Sequence, residues 1–454
     1  MASISPLERR SIASIGLLFA LRMLGMFMVV PVLAMYGTQL TGSSPLLIGV
    51  AIGIYGLAQA LCQIPFGLWS DRIGRRPVIM VGLLLMLVGS ILPAFFEHIG
   101  WLILGRFLQG AGAISAVLMA LLSDLTREQY RSLGMAIIGM SFGVTFALAI
   151  GMGPWLAAKA GIHAVFWVIA VLAILAFICL LVWVPEARQQ RSNREAEVIP
   201  AAIRRVFQTT GLMRLNLGIF MLHLLLMLSF QALPTALRAA GYVADLQWQP
   251  MLTAMLVSML MVIPLMLGAE RFQRIRWLYL SSIIVMALAE VLWFYATSQW
   301  LILAALIAFF LAFNLLEALL PSMVSKMAPV GLKGTAMGVY STAQFLGLAC
   351  GGGLGGVLAQ YCGASALYLA AMSIALIWWI VSRKMLEPAT SRSLRLELDS
   401  PLALSQSLYS ELMAQPGVLA AELAPEEGCA YLKIDPRRTS RGELMAWIST
   451  QSRV

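Results

Sequence analysis

Gly67-Leu-Trp-Ser-Asp71-Arg72-Ile-Gly74-Arg75-Arg76-Pro77 joins two long apolar stretches, residues 46–68 and 77–96. The glycines at 67 and 74 permit close backbone approach and a tight turn. Pro77 suits the first turn of the helix that follows. Asp71 is an acid among three arginines, placed where it can cap a helix N-terminus, whose dipole favours negative charge. An ordinary basic loop would account for the arginines. It would not account for the glycines and the acid at these spacings. The segment therefore reads as a specialised turn between two membrane-crossing helices.

The rest of the chain repeats that pattern. Apolar windows fall at about 12–36, 46–68, 77–96, 100–123, 131–158, 163–184, 212–236, 249–269, 277–297, 299–323, 333–360 and 363–382, and each is long enough for a span of about 20 residues. This predicts twelve membrane helices. Of 454 residues, 60% are hydrophobic and 11% charged, which excludes an ordinary soluble enzyme and a disordered chain. Continuous apolar runs also exclude an outer-membrane barrel, whose strands alternate. The stretch from Ile12 to Tyr36 is too long for a signal-peptide core and reads as the first span.

The joints give an orientation. With the N-terminus inside, the inner joints hold 20 Lys/Arg and the outer joints only Lys159 and Arg238. That bias, with an even number of spans, predicts both termini in the cytoplasm. It also accounts for the net charge of +10 without nucleic acid. An arginine-rich linker, 185–211, separates a six-helix bundle at 1–184 from a second at 212–389. The halves echo each other about 200 residues apart. Trp101-Leu-Ile-Leu104 recurs as Trp300-Leu-Ile-Leu303, Asp71-Arg72 as Glu270-Arg271, and Gly151 with Gly153 as Gly353 with Gly355. Such repeats are a transporter feature, with the binding site between them at mid-membrane. Residues 390–454 change texture. Strand, helix, strand, strand and helix are predicted at 393–399, 402–413, 418–423, 430–434 and 441–448, a small α+β ferredoxin-like domain.

The segment Gly67–Pro77 resembles motif A of the major facilitator superfamily. Leu102-Ile-Leu-Gly-Arg106-Phe-Leu-Gln109-Gly110-Ala-Gly112-Ala113 resembles motif B. Ala149-Ile-Gly-Met-Gly153-Pro154-Trp-Leu-Ala157-Ala158 resembles the antiporter motif of the fifth span, with alanines for glycines at 149, 157 and 158. With twelve spans and the C-terminal domain, the chain resembles the drug:proton antiporters of that superfamily. The resemblance implies rocking of two six-helix bundles. It also implies that Asp71 braces the outward-facing state against the start of the eleventh span, near Gly331–Gly334, while Arg75 pairs with Asp124. Gly67, Arg72, Gly74 and Arg76 complete this latch.

Charges inside spans are costly and therefore functional candidates. They are Arg22, Arg106, His223, Glu290 and Glu317. Asn314 and Glu317 lie one helical turn apart and are expected to face one cavity. A carboxyl there can bind a proton in one state and lose it in another. His223 is a second titratable candidate, or a packing residue. Glu290 is expected near the membrane interface. Motif B implies a proton-coupling role for Arg106. Arg22 stands in the first span, where many cation exporters of the family carry an acid, so an anionic or zwitterionic substrate fits as well as a cation. Gln59, Gln63, Gln231, Tyr340 and Gln344 can line the cavity or bond between helices. The glycines of the eleventh span read as close packing.

Five cysteines show no CxxC spacing, so neither a disulfide framework nor a zinc site is expected. No catalytic pairing, Walker A sequence or cofactor motif is present. The expected partners are a small-molecule substrate, protons and the lipid bilayer, with self-association through the C-terminal domain as a further possibility. The leading reading is a proton-coupled exporter. An exporter of a sugar or other metabolite, and a membrane sensor signalling through the C-terminal domain, are the alternatives.

Overall fold

The computed structural model describes residues 4–186, 199, 202–385, 387, 392–397, 406–424, 429–435 and 437–451. Among them, eleven helical runs are long and apolar enough to cross a membrane. These are α1 (Pro6–Tyr36), α2 (Pro45–Ile73), α3 (Arg75–Phe95), α4 with α5 (Ile99–Ala111 and Ser115–Leu125), and α6 (Glu128–Val182). After the short α7 (Ile203–Gln208) come α8 (Thr210–Ala239), α9 (Trp248–Arg271), α10 (Ile275–Tyr295), α11 (Gln299–Met327), α12 (Lys333–Tyr361) and α13 (Ala364–Ser382). At 55 residues, α6 would reach about 80 Å as a straight rod, far more than a bilayer core of about 30 Å. It breaks at Gly161, where φ is 82°, a backbone that glycine adopts without steric cost. The chain thus crosses twelve times, as the hydropathy pattern predicts.

Local chemistry sets the helix starts. Ser5 and Glu8 form a reciprocal capping box at α1, and Ser44 and Ser298 cap α2 and α11. Pro6 and Pro45 sit in first turns. The internal repeat is visible in the boundaries, since α3 spans 75–95 and α10 spans 275–295. The predicted linker is not wholly irregular. It contains α7, which buries Val206, while residues 187–198 fall outside those described.

The two bundles close against each other at the face opposite the termini. Gly49, Gly53 and Gly56 of α2 lie against Gly352, Ala349 and Phe345 of α12. A Cβ at Gly49 would stand 2.5 Å from the Gly352 carbonyl oxygen, and one at Gly53 would stand 2.6 Å from that of Ala349. Small residues spaced by a turn let membrane helices approach this closely. Toward the terminal face, a Cβ at Gly67 or Gly139 would meet nothing within 4 Å. The far side is closed in this state.

The C-terminal domain holds β1 (Arg392–Glu397), α14 (Gln406–Ala414), β2 (Val418–Ala424), β3 (Cys429–Ile434) and α15 (Arg441–Gln451). The sheet is antiparallel in the order β1-β3-β2. The predicted strand ends at 398–399 and the helix start at 402–405 lie outside the described residues. One face of the sheet packs on its own helices through Leu396, Leu412, Leu432 and Leu444. On the other face, Ala424, Cys429 and Tyr431 bury Val330 of the loop between α11 and α12. Lys433 Nζ donates to the Ala328 carbonyl at 3.1 Å, and burial lowers the proton affinity of that amine. Lys433→Ala is expected to cost about 1 kcal/mol of docking. Hydrogen exchange at 328–332 should accelerate several-fold, and unchanged exchange would show that the apolar contact alone holds the domain.

Candidate functional site

In motif A, Gly74 is the only residue between α2 and α3, with φ 100° and ψ 154°. Its positive φ explains a glycine here. Asp71 does not cap a helix N-terminus, as the sequence led us to expect. It lies in the last turn of α2, and its carboxylate pairs with the Arg75 guanidinium at the start of α3. An acid at a helix C-terminus and a cation at a helix N-terminus both oppose the dipoles, so each needs the other. Arg75 also reaches Asp124 Oδ2 at 3.3 Å and Ser70 Oγ at 2.7 Å. Asp124 is buried, whereas the Asp71 side chain is 40% exposed. Arg76 ties α3 to the end of α6 through Glu186 (2.6 Å) and the Leu180 carbonyl (2.8 Å). Arg72 is exposed. Gly67 makes no close approach in this state.

An ion pair at this same face escaped the sequence reading. Glu8, 3% exposed, accepts from Arg127 Nε at 2.8 Å and Nη2 at 2.7 Å, and from its backbone amide at 3.0 Å. This fork fixes the start of α1 to the joint between α5 and α6. The Ser5-x-x-Glu8 capping signature was legible, but its pairing with a residue 119 positions away was not.

In the second bundle, Glu317 (α11), His223 (α8) and Gln344 (α12) meet. Gln344 Nε2 donates to Glu317 Oε1 at 3.2 Å and lies 2.9 Å from His223 Nε2. His223 Nδ1 donates to the Ile219 carbonyl at 3.2 Å, which leaves Nε2 as the acceptor. Glu317 Oε2 stands 3.7 Å from that nitrogen, beyond hydrogen-bond reach, and has no hydrogen-bond partner. The Tyr340 hydroxyl is likewise buried without a partner. Phe313 lies between His223 and Phe146 of the first bundle, with ring centroids 5.8 and 5.3 Å away. The cluster therefore borders the seam between the bundles.

Asn314 does not join it. Its amide donates to Ser258 Oγ of α9 at 3.2 Å, so the expected shared cavity with Glu317 is divided. Glu290, five residues from the outer end of α10, turns into the bundle. It is fully buried and accepts from Ser229 of α8, because α10 packs that face against its own bundle. Gln231 bridges α8 to α12 through the Gly351 carbonyl at 3.4 Å, and Gln63 is buried.

In the first bundle, Arg22 donates to Ser115 Oγ (2.5 Å), Gln59 Oε1 (2.7 Å) and the Gly112 carbonyl (3.3 Å). Arg106 donates to Gln109 Oε1 at 2.7 Å and stacks on Tyr55, with Cζ 4.4 Å from the ring centroid. Both arginines are buried.

Two bundles of six crossings, the first carrying a glycine-turned basic motif between α2 and α3 at the terminal face, define a secondary transporter. The chain belongs to the major facilitator superfamily, whose model matches residues 15–272 and 217–425; it is a transporter and not an enzyme. It is 47% identical over 442 residues to the inner membrane transport protein YajR of Escherichia coli strain K12, covering 97% of each chain. It is 32% identical over 181 residues to the class B tetracycline resistance protein of Escherichia coli, covering 38% of this chain and 44% of that one. Among solved structures, a mutant of the nucleoside transporter NupG shares the fold with a TM-score of 0.66 at 14% identity, over 82% of this chain and 99% of that one.

Proposed function

We propose that the protein is a proton-coupled exporter of small molecules, working by alternating access in the inner membrane with both termini in the cytoplasm. The observation that carries this reading is the Glu317–His223–Gln344 cluster beside the seam between the bundles. It offers a carboxyl oxygen, Glu317 Oε2, with room for a proton, beside an imidazole nitrogen that accepts from Gln344. The arginine bias of the joints supports the orientation. The similarity to a protein named as an inner membrane transporter, and to one named for tetracycline resistance, supports membrane and direction.

Asp71, Arg75 and Asp124 act as the latch. With the far face closed, Asp71 is held by Arg75. With the far face open, it braces the start of α12. Asp71→Asn is expected to raise the closed-to-open ratio of the far face about tenfold. Distance labels across the far face that do not move would sink the latch role.

The function itself is tested in inside-out vesicles with a pH-reporting dye and a panel of cationic, anionic and zwitterionic compounds. Compound-triggered proton release is expected. A folded protein silent across the panel would shift the reading to a narrow metabolite exporter or a sensor.

A further inference from the structure

Arg22 and Arg106 are 2% and 1% exposed at mid-membrane, and a guanidinium keeps its charge. Among the described residues neither has a carboxylate within ion-pair distance. Their hydrogen-bond partners are neutral: Ser115, Gln59 and the Gly112 carbonyl for Arg22, and Gln109 for Arg106. The two charges share one stretch of α2, since Arg106 stacks on Tyr55 and Arg22 bonds Gln59 one helical turn further on. Arg106 Nε and Gln59 Nε2 are buried donors with no acceptor.

A third positive element meets Arg22. The fourth crossing is broken between Ala111 and Ser115, and the N-terminus of α5 carries no side-chain cap. Its free amides and dipole favour an anion. Arg22 instead places a cation there, 2.5 Å from Ser115 Oγ. Broken helices at mid-membrane are where transporters set their ligand sites. A cavity of about 10 Å³ lies beside Arg22, Tyr55 and Gln109, walled by Met26, Met86 and Ile169. It is about one water in size, and its methionines are adaptable side chains that can swing aside.

We propose that this cluster is an anion site. It receives a small singly charged anionic group, either the carboxylate of the transported solute or a free inorganic anion. Two buried cations and a helix N-terminus without a counter-charge make up a deficit that one such group would relieve. The inference rests on the export reading only for what the anion belongs to. Its test needs no gradient, so a failure of proton coupling leaves it standing.

The experiment is equilibrium binding of radiolabelled benzoate and of radiolabelled chloride to the purified full-length protein, kept monodisperse in detergent. Saturable benzoate binding is expected, displaced by unlabelled benzoate and not by the isosteric neutral benzamide. Arg22→Gln should weaken it about tenfold or more, and Arg22→Lys, which keeps the charge, should weaken it less. If Arg22→Gln does not fold, the benzoate-against-benzamide comparison on the wild type decides. Chloride binding without benzoate binding would assign the site to a free inorganic anion. Absence of both from a monodisperse wild type, displacement by benzamide, or binding unchanged in Arg22→Gln would overturn the proposal.

Discussion

Glu317→Gln is expected to lose proton-driven transport by roughly a hundredfold, the lower end of what a positioned proton-transfer group contributes. The substitution is nearly isosteric. Its amide oxygen still accepts from Gln344, as Glu317 Oε1 does now at 3.2 Å. Its amide N–H takes the place of Glu317 Oε2, 3.7 Å from a His223 Nε2 that already accepts from Gln344. The packing of α8, α11 and α12 is therefore retained, and only the exchangeable proton is lost. Energy-independent exchange of substrate across vesicles should persist. The measurement pairs the two: dye-reported proton release, and counterflow of labelled substrate. Loss of both would mean that Glu317 is structural, and full proton release would mean that coupling resides elsewhere.

Much of the fold is legible because a bilayer imposes simple rules. Apolar length gave the twelve crossings, and Gly161 falls inside the predicted joint between 158 and 163. Gly74 was readable as a turn because a single residue must reverse the chain at positive φ. The site was less legible. Three residues turn a helix by about 300°, so Asn314 and Glu317 diverge by about 60°. That is enough to send one to Ser258 on α9 and the other to Gln344 on α12. The burial of Glu290 was not readable because position along an apolar run gives depth without the facing helix that supplies Ser229. Asp71 was misassigned because the sequence does not say which helix end it occupies. The docking of Tyr431 and Lys433 on the loop that leads into α12 has no local signature at all. That docking matters for the mechanism, since the same loop precedes the segment that Asp71 is proposed to brace.

Gly352→Val is expected to hold the far face open. A Cβ at this position would lie 2.5 Å from the Gly53 amide nitrogen and 2.7 Å from its Cα. These are backbone atoms, which cannot rotate away as a side chain would. Overpacking costs about 1–3 kcal/mol, and against backbone the upper end applies, shifting the closed-to-open ratio by about a hundredfold. Spin labels at Thr41→Cys and Gln360→Cys, with the five native cysteines replaced by serine, report the separation of the loop that leads into α2 from the far end of α12. The distance distribution should move to longer values, and transport should fall because one half of the cycle is blocked. The neighbouring glycine supplies the control. A Cβ at Gly353 would meet nothing within 4 Å, so Gly353→Val adds the same volume to the same helix without reaching α2, and its distances should match the parent. If the two valines behave alike, helix propensity and not the α2–α12 contact is responsible. If only the substitution at 352 opens the far face, the close approach of Gly49, Gly53, Gly352 and Gly356 is the gate.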